Sequence, residues 1–313
     1  MQSLAQHLQV SSDTLIACSG TSEGYALIYK MLANAGDNIV LPRPSYPLLA
    51  HLVELEGLEP RFYDIAFEGS WHIDRASVHK AIDANSRAIV VVSPNNPTGH
   101  CFAADELAFL AQFERPILCD QVFQPYTIDD QPAESATTIL NRLKHPLVLS
   151  LDGASKRFAS PHLKLSWIQV SGQEPFRQQA LDTLRVLSDC YLSVSAQAYA
   201  RLPSLMEQGP QIQARLHEGL HSNLTLLHER LRGQPISLLP CHAGWNAILH
   251  VPNILSDEAW AIALIEEEQL YTHPGYLYDL APSSMLVVSL LLAPAQTQMA
   301  IKRLLRCCDR HIA

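Results

Sequence analysis

An alternation of short β-branched runs with amphipathic stretches, sustained over the first half of the chain, narrows its possible folds more than any other feature. The runs are LIACS, NIVLP, RFYDI, AIVVVS, PILCD, LVLSLD and LSWIQV, seven candidate strands in all. Segments such as EGYALIYKMLANA, between the first two, repeat their apolar residues at helical spacing. Parallel neighbours need a crossover long enough to hold a helix, so this order predicts a mainly parallel sheet covered on both faces. Ligands of such sheets bind beyond the carboxyl ends of strands, which makes the loops after these runs the place to look for chemistry.

Past residue 171 the pattern changes to two long helical stretches. One begins QEPFRQQALD and runs through Met206, and the other runs from Gly209 to a stop at Gly233. WNAILHV, DEAWAIALIEEEQL, MLVVSLLLA and AQTQMAIKRLLRCC follow, a set that suits a small α+β unit. The expectation is an α/β protein in two parts. A large domain over residues 1–205 carries a seven-stranded, mainly parallel sheet, and a connecting helix with a smaller α+β domain fills 206–313.

Several function classes fall away on composition. The longest apolar runs are of strand length, well short of the roughly 20 residues a spanning helix needs. A formal charge of -9, with no basic stripe, speaks against a nucleic-acid surface and leaves a small molecule as the expected partner. The seven cysteines are scattered and odd in number, with no Cys-x-x-Cys pair. Together with an N-terminus lacking the pattern of a secretory signal, they lead to the expectation of a cytoplasmic protein.

Four segments carry chemistry. CSGTSEG, Cys18 to Gly24, takes a strand into a helix, so that backbone N–H groups and the positive helix end converge as a phosphate cradle. SPNNPTG, Ser93 to Gly99, follows AIVVVS; alone it reads equally well as a Pro-rich turn. LCDQVF puts Asp120 at the end of a buried strand, where a carboxylate is costly unless it meets a cation. LDGASKRFASPHLKLSW places Lys156 just past another strand and Lys164 eight residues later. Lysine is the one side chain able to form an imine with an aldehyde, and burial shifts it toward the nucleophilic free amine. An anion cradle, an imine-forming lysine and a carboxylate for a pyridine nitrogen are what a pyridoxal-phosphate site requires.

The order and spacing of these segments resemble the pyridoxal-phosphate-dependent aminotransferases of fold type I, class I/II. The resemblance runs from SGTSEG through GDNIVLPRPSYPLL, SPNNPTG, CDQVF and SKRF to HPGYLYDL. It implies the fold-type I architecture, a homodimer, and transfer of an amino group between an amino acid and a 2-oxo acid. By matching motif, Lys156 would hold the cofactor as a Schiff base and shuttle the proton. Gly20, Thr21 and Ser22 would bind its phosphate, completed by Ser155 and Lys164. Tyr46 would stack on the ring, Asn96 would hydrogen-bond its 3-oxygen and Asp120 would pair with its nitrogen.

Four departures accompany the resemblance. The chain starts past the N-terminal arm that usually helps close the small domain. Phe123 stands where many members have a tyrosine that touches the ring oxygen, with Tyr126 expected to substitute. Lys164 replaces a common arginine, keeping the charge without the bidentate fork. Val287, in MLVVSLLLA, occupies the place of the arginine that clamps the substrate carboxylate, leaving His273, Trp245 or Asn246 as candidate replacements.

Other readings stay beside this one: a decarboxylase or lyase on the same cofactor, or a catalytically silent binding or regulatory member. Gly20-Thr21-Ser22-Glu23-Gly24 also satisfies the Gly-x-Ser-x-Gly elbow of serine hydrolases, with Asp120 and His273 in the required order. His217 to His221 reads HEGLH, a match to the His-Glu-x-x-His zinc signature, but with no third ligand placed by sequence no metal is expected.

Overall fold

The computed structural model describes residues 1–128, 133–192, 194–281 and 284–312. All seven runs form strands: β1 (Leu15–Cys18), β2 (Asn38–Arg43), β3 (Glu59–Phe67), β5 (Ser86–Val92), β6 (Ile117–Asp120), β7 (Leu147–Gly153) and β8 (Ser166–Gly172). An eighth, β4 (Trp71–Ile73), folds back antiparallel on β3 after a turn at Gly69, where φ is +82°. Three residues with a polar centre are too short for a period to register, which is why the sequence pattern gave seven strands. The spatial order is β1-β8-β7-β6-β5-β2-β3-β4. β7, β6, β5, β2 and β3 are parallel, while β8 opposes both β7 and β1.

The continuous apolar runs are explained by burial on both faces. Ile89 and Val91 of β5 join one core with Ile117, Cys119 and Val148. Ala88, Val90 and Val92 of the same strand join another with Leu118, Leu149 and Leu151. Each fully buried Val, Leu or Ile contributes about 1.5–3 kcal/mol, so these central strands form a firm base for the loops at their ends.

A second, antiparallel sheet of order β11-β12-β10-β9 is built from β9 (Ser237–Leu238), β10 (Asn246–His250), β11 (His273–Pro274) and β12 (Met285–Ser289). The helix Ala196–Leu231 links it to the first. Leu220, Leu224, Leu227 and Leu231 of this helix, at helical spacing, pack with Trp260, Leu264 and Leu304.

The helix boundaries differ from the sequence pattern. The break falls between Cys190 and Ala196, and one 36-residue helix continues through Pro203, Gly209 and Pro210. Gly209 faces the Phe158 ring so closely that a Cβ would lie 2.6 Å from Cε1. The Gly-Pro pair, read as a helix break, therefore serves close packing beneath the Lys156 segment.

Candidate active site

Val92, Asp120 and Gly153 are the last residues of β5, β6 and β7, and all three line one cavity of about 460 Å³. Thr21, Tyr46, Asn96, Ser155 and Lys156 complete its wall on the large-sheet side, with Trp245, Asn246, His273, Tyr278, Ser289 and Leu291 opposite. A larger cleft of about 670 Å³, beside Arg43, Asp64 and Trp71, has among its described lining residues no lysine and no residue of the four motifs. Chemistry therefore selects the smaller one.

Lys156 is placed by its backbone. Gly153, paired across the sheet with Ser166, has no room for a side chain: a Cβ would meet the Ser166 Oγ at 2.2 Å. The chain then turns into the short helix Ala154–Arg157. Tyr126 donates its hydroxyl to the carbonyls of Lys156 (2.7 Å) and Arg157 (3.2 Å), and Arg157 is paired with buried Asp152 through Nε at 2.6 Å. The Lys156 Nζ lies 4.9 Å from the ring centroid of Trp245 and 5.8 Å from that of Phe123. Burial lowers its pKa from the ordinary lysine value, against an upward pull from the Asp120 charge.

Asp120 is fully inside. Its Oδ2 accepts from the Tyr25 hydroxyl at 2.8 Å and its Oδ1 from the Val122 N–H at 3.1 Å. Burial pushes its carboxyl up to about 6 despite these two bonds. Tyr46 is close enough to feel that charge, since burial and then Asp120 raise its phenol.

The two asparagines of SPNNPTG divide the labour. Asn95 is structural: its Nδ2 reaches the Pro44 carbonyl at 3.3 Å and its Oδ1 accepts from the Thr98 hydroxyl at 2.8 Å. Asn96 faces the cavity, where its Oδ1 accepts from Asn246 Nδ2 at 2.7 Å. Gly99, at φ +69°, lets the loop approach the second sheet's entry, where a Cβ would stand 2.6 Å from the Ala243 carbonyl.

Of the residues expected from sequence, Thr21, Tyr46, Asn96, Asp120, Ser155 and Lys156 meet in this cavity. Gly20 caps the helix Thr21–Leu32 at the same end, while Ser22 and Lys164 are exposed and outside the lining. Tyr126 does not take the place left by Phe123: it is outside the lining and its hydroxyl is spent on two carbonyls. Val287 is buried on β12, Cα-paired with Ile248 on one side and His273 on the other. Among the described lining residues, Lys156 is the only lysine or arginine. Tyr25, Ser166, Tyr278, Ser289 and Leu291 were not singled out in sequence, although Ser166 and Tyr278 lie within the quoted motifs and Ser289 and Leu291 within the run that holds Val287. Only the cavity lining, and for Tyr25 the bond to Asp120, marks them. His217, of the HEGLH match, points its Nε2 at the Thr127 carbonyl, 2.6 Å away.

A sequence profile described as "Aminotransferase class I and II" matches residues 1–304. The chain belongs to that family. It is therefore a pyridoxal-phosphate-dependent aminotransferase. Tyrosine aminotransferase of Mus musculus is 29% identical over 95% of this chain and 67% of its own length. The S-alkyl-thiohydroximate lyase of Arabidopsis thaliana is 26% identical over 97% and 68%. The crystal structure of tyrosine aminotransferase from Leishmania infantum superposes with a TM-score of 0.88 at 21% identity, covering 99% of this chain and 80% of that one. That likeness establishes the fold. The residues of this aminotransferase fit its cofactor. Among the described residues, the hydrogen bonds to the buried Asp120 carboxylate come from neutral groups, which suits a cationic ring nitrogen, and Thr21 at the start of the helix Thr21–Leu32 and Ser155 of the turn Ala154–Arg157 bring hydroxyls to the cavity, which suits a phosphate.

Proposed function

We propose that Lys156 holds pyridoxal phosphate and that its Nζ carries the proton away from the substrate Cα. The observation that carries this reading is the meeting of Lys156, Asp120 and Asn96 in one cavity. When bound, the cofactor supplies an aldehyde carbon that accepts the amino group and a ring that withdraws electrons. Asp120 keeps the ring nitrogen protonated, and Asn96 donates to the ring oxygen. Tyr46 flanks the ring. Thr21 and Ser155, with the backbone of Gly20 and Ser22, hold the phosphate, and Lys164 adds positive charge from outside. Trp245 and Phe123 exclude water from the lysine, which keeps its amine available for proton transfer.

The reaction proposed is amino-group exchange between an amino acid and a 2-oxo acid. A screen of amino acids for conversion of the bound cofactor to its amine form tests it. No conversion by any amino acid would overturn it.

The same proposal extends to organisation. Residues 1–205 form the cofactor-binding part and 206–313 the smaller part, a division supported by the two separate sheets. The working form is a two-fold homodimer. In support, Leu291 is 44% exposed although it lines the cavity, and Leu292 beside it is 42% exposed, apolar surface suited to cover by a second subunit. A cytoplasmic site accords with the buried thiols Cys18, Cys119, Cys307 and Cys308. Among the described residues no helix is long and apolar enough to cross a membrane.

A further inference from the structure

We infer that Asn246 is a positioning residue that fixes which end of the Asn96 carboxamide is offered to the cofactor. The inference rests on the proposed role of Asn96 and adds a residue from the other sheet to that role. Asn246 is the first residue of β10, Cα-paired with Ser289 of β12, and both line the cavity. Its Nδ2 donates to Asn96 Oδ1 at 2.7 Å, a side-chain bond that spans the cavity from the second sheet to the loop after β5.

A carboxamide has one accepting and one donating end, nearly identical in shape. The ring oxygen of the cofactor accepts, so it needs the NH2 end of Asn96. Asn96 can present that end stably only if something else satisfies its Oδ1. Asn95, its neighbour, is committed to Pro44 and Thr98 and cannot do so. Asn246 can. By donating to Oδ1 it turns the Asn96 Nδ2 toward the ring oxygen and opposes a flip that would face two acceptors together. Because Asn246 belongs to the smaller sheet, the position of that sheet also bears on how well Asn96 donates.

The readout is the pH midpoint of the absorbance change of the lysine-bound cofactor. A donor on the ring oxygen favours the deprotonated linkage and lowers this midpoint. Asn96→Ala is expected to raise it by about one pH unit, as befits loss of one hydrogen bond to a charged oxygen. Asn246→Ala raises it by a sizeable part of that shift, and adds nothing in the Asn96→Ala background. Asn246→Gln, which keeps an NH2 donor, brings the midpoint back toward the parent value. An Asn246→Ala midpoint equal to the parent, a shift that persists undiminished without Asn96, or a Gln variant no closer to the parent than Ala each overturns the inference. A parent protein with no lysine-bound chromophore would instead overturn the cofactor reading on which it rests.

Discussion

The phenol of Tyr25 donates to Oδ2 of Asp120 over 2.8 Å, and the Val122 N–H takes the other oxygen. Neither donor carries charge. The carboxylate therefore keeps most of the cost of leaving water, and its pKa rises to about 6. In the proposed site a cationic ring nitrogen beside it would remove that cost, so that cofactor binding and ionisation of Asp120 would support each other.

Asp120→Asn is expected to lose at least about a hundredfold in turnover, or ~2.7 kcal/mol of transition-state stabilisation, because an amide cannot hold the ring proton. Without cofactor the effect reverses. The raised carboxyl binds its proton more tightly folded than unfolded, so ionised Asp120 costs stability as pH rises from about 4 through 6, and in full above that. Thermal melts of cofactor-free protein at pH 7.5 should find the Asn variant more stable by about 1–3 kcal/mol, with the gap closing near pH 4. Equal stability at pH 7.5 would show that the charge is solvated.

Lys156→Ala removes the only lysine or arginine among the described cavity residues. Borohydride reduction followed by mass measurement should find the cofactor mass on the parent chain and none on this variant. A retained adduct would place the attachment elsewhere.

Tyr126→Phe takes the donor from the Lys156 and Arg157 carbonyls while leaving the ring packed 5.2 Å from Trp245. Unfolding in urea should register a loss of about 1–2 kcal/mol. Turnover should fall as well, because the turn that presents the lysine loses its anchor. Unchanged stability and rate together would count against this anchoring role.

Glu106 accepts from the Ile73 and Ala103 N–H groups and from His100 at 3.0 Å, just beyond the SPNNPTG loop. Burial pushes its carboxyl up, but the His100 bond and charge and the two N–H groups outweigh this and leave it below the usual glutamate value. A depressed carboxyl contributes stability above the unfolded pKa, lost as pH falls through the folded one. Glu106→Gln should thus be less stable than the parent at pH 7, with the difference shrinking below about pH 4. A difference that stays constant with pH would mean that the pair contributes through shape rather than charge.

Val287 sits between Ile248 and His273 with its side chain buried, and no described arginine lines the cavity. Each hydrogen bond to a charged carboxylate is worth about 1.5–3 kcal/mol, so the uncharged Asn246 and Ser289, with His273, cannot equal a bidentate clamp. Half-reactions with aspartate, glutamate and alanine are expected to be slow, with high apparent KM. Efficient turnover of aspartate or glutamate at low millimolar concentration would sink this expectation and require another carboxylate donor.

The sequence by itself determined the seven main strands and the parallel character of the sheet, and it named the candidate reactive groups that meet in the cavity. These depend on properties local in the chain: β-branched runs buried on both faces, and lysine, aspartate and asparagine at strand ends within short motifs. It pointed to Asn96 through the family resemblance, but the residues by themselves do not say which of the two adjacent asparagines faces the cavity, because that choice turns on Thr98 within the loop and on Pro44 and Asn246 far from it along the chain. It read Tyr126 as a ring contact, and packing instead spent that hydroxyl on the Lys156 turn. It read Gly209-Pro210 as a break, and the Phe158 ring made the glycine a contact inside one long helix. The acidity of Asp120 was also beyond it, since that group is moved mostly by burial, against hydrogen bonds from the nearby Val122 N–H and from the distant Tyr25 hydroxyl. Orientation, burial and partner choice come from contacts between distant segments, and only the folded chain brings those segments within reach of one another.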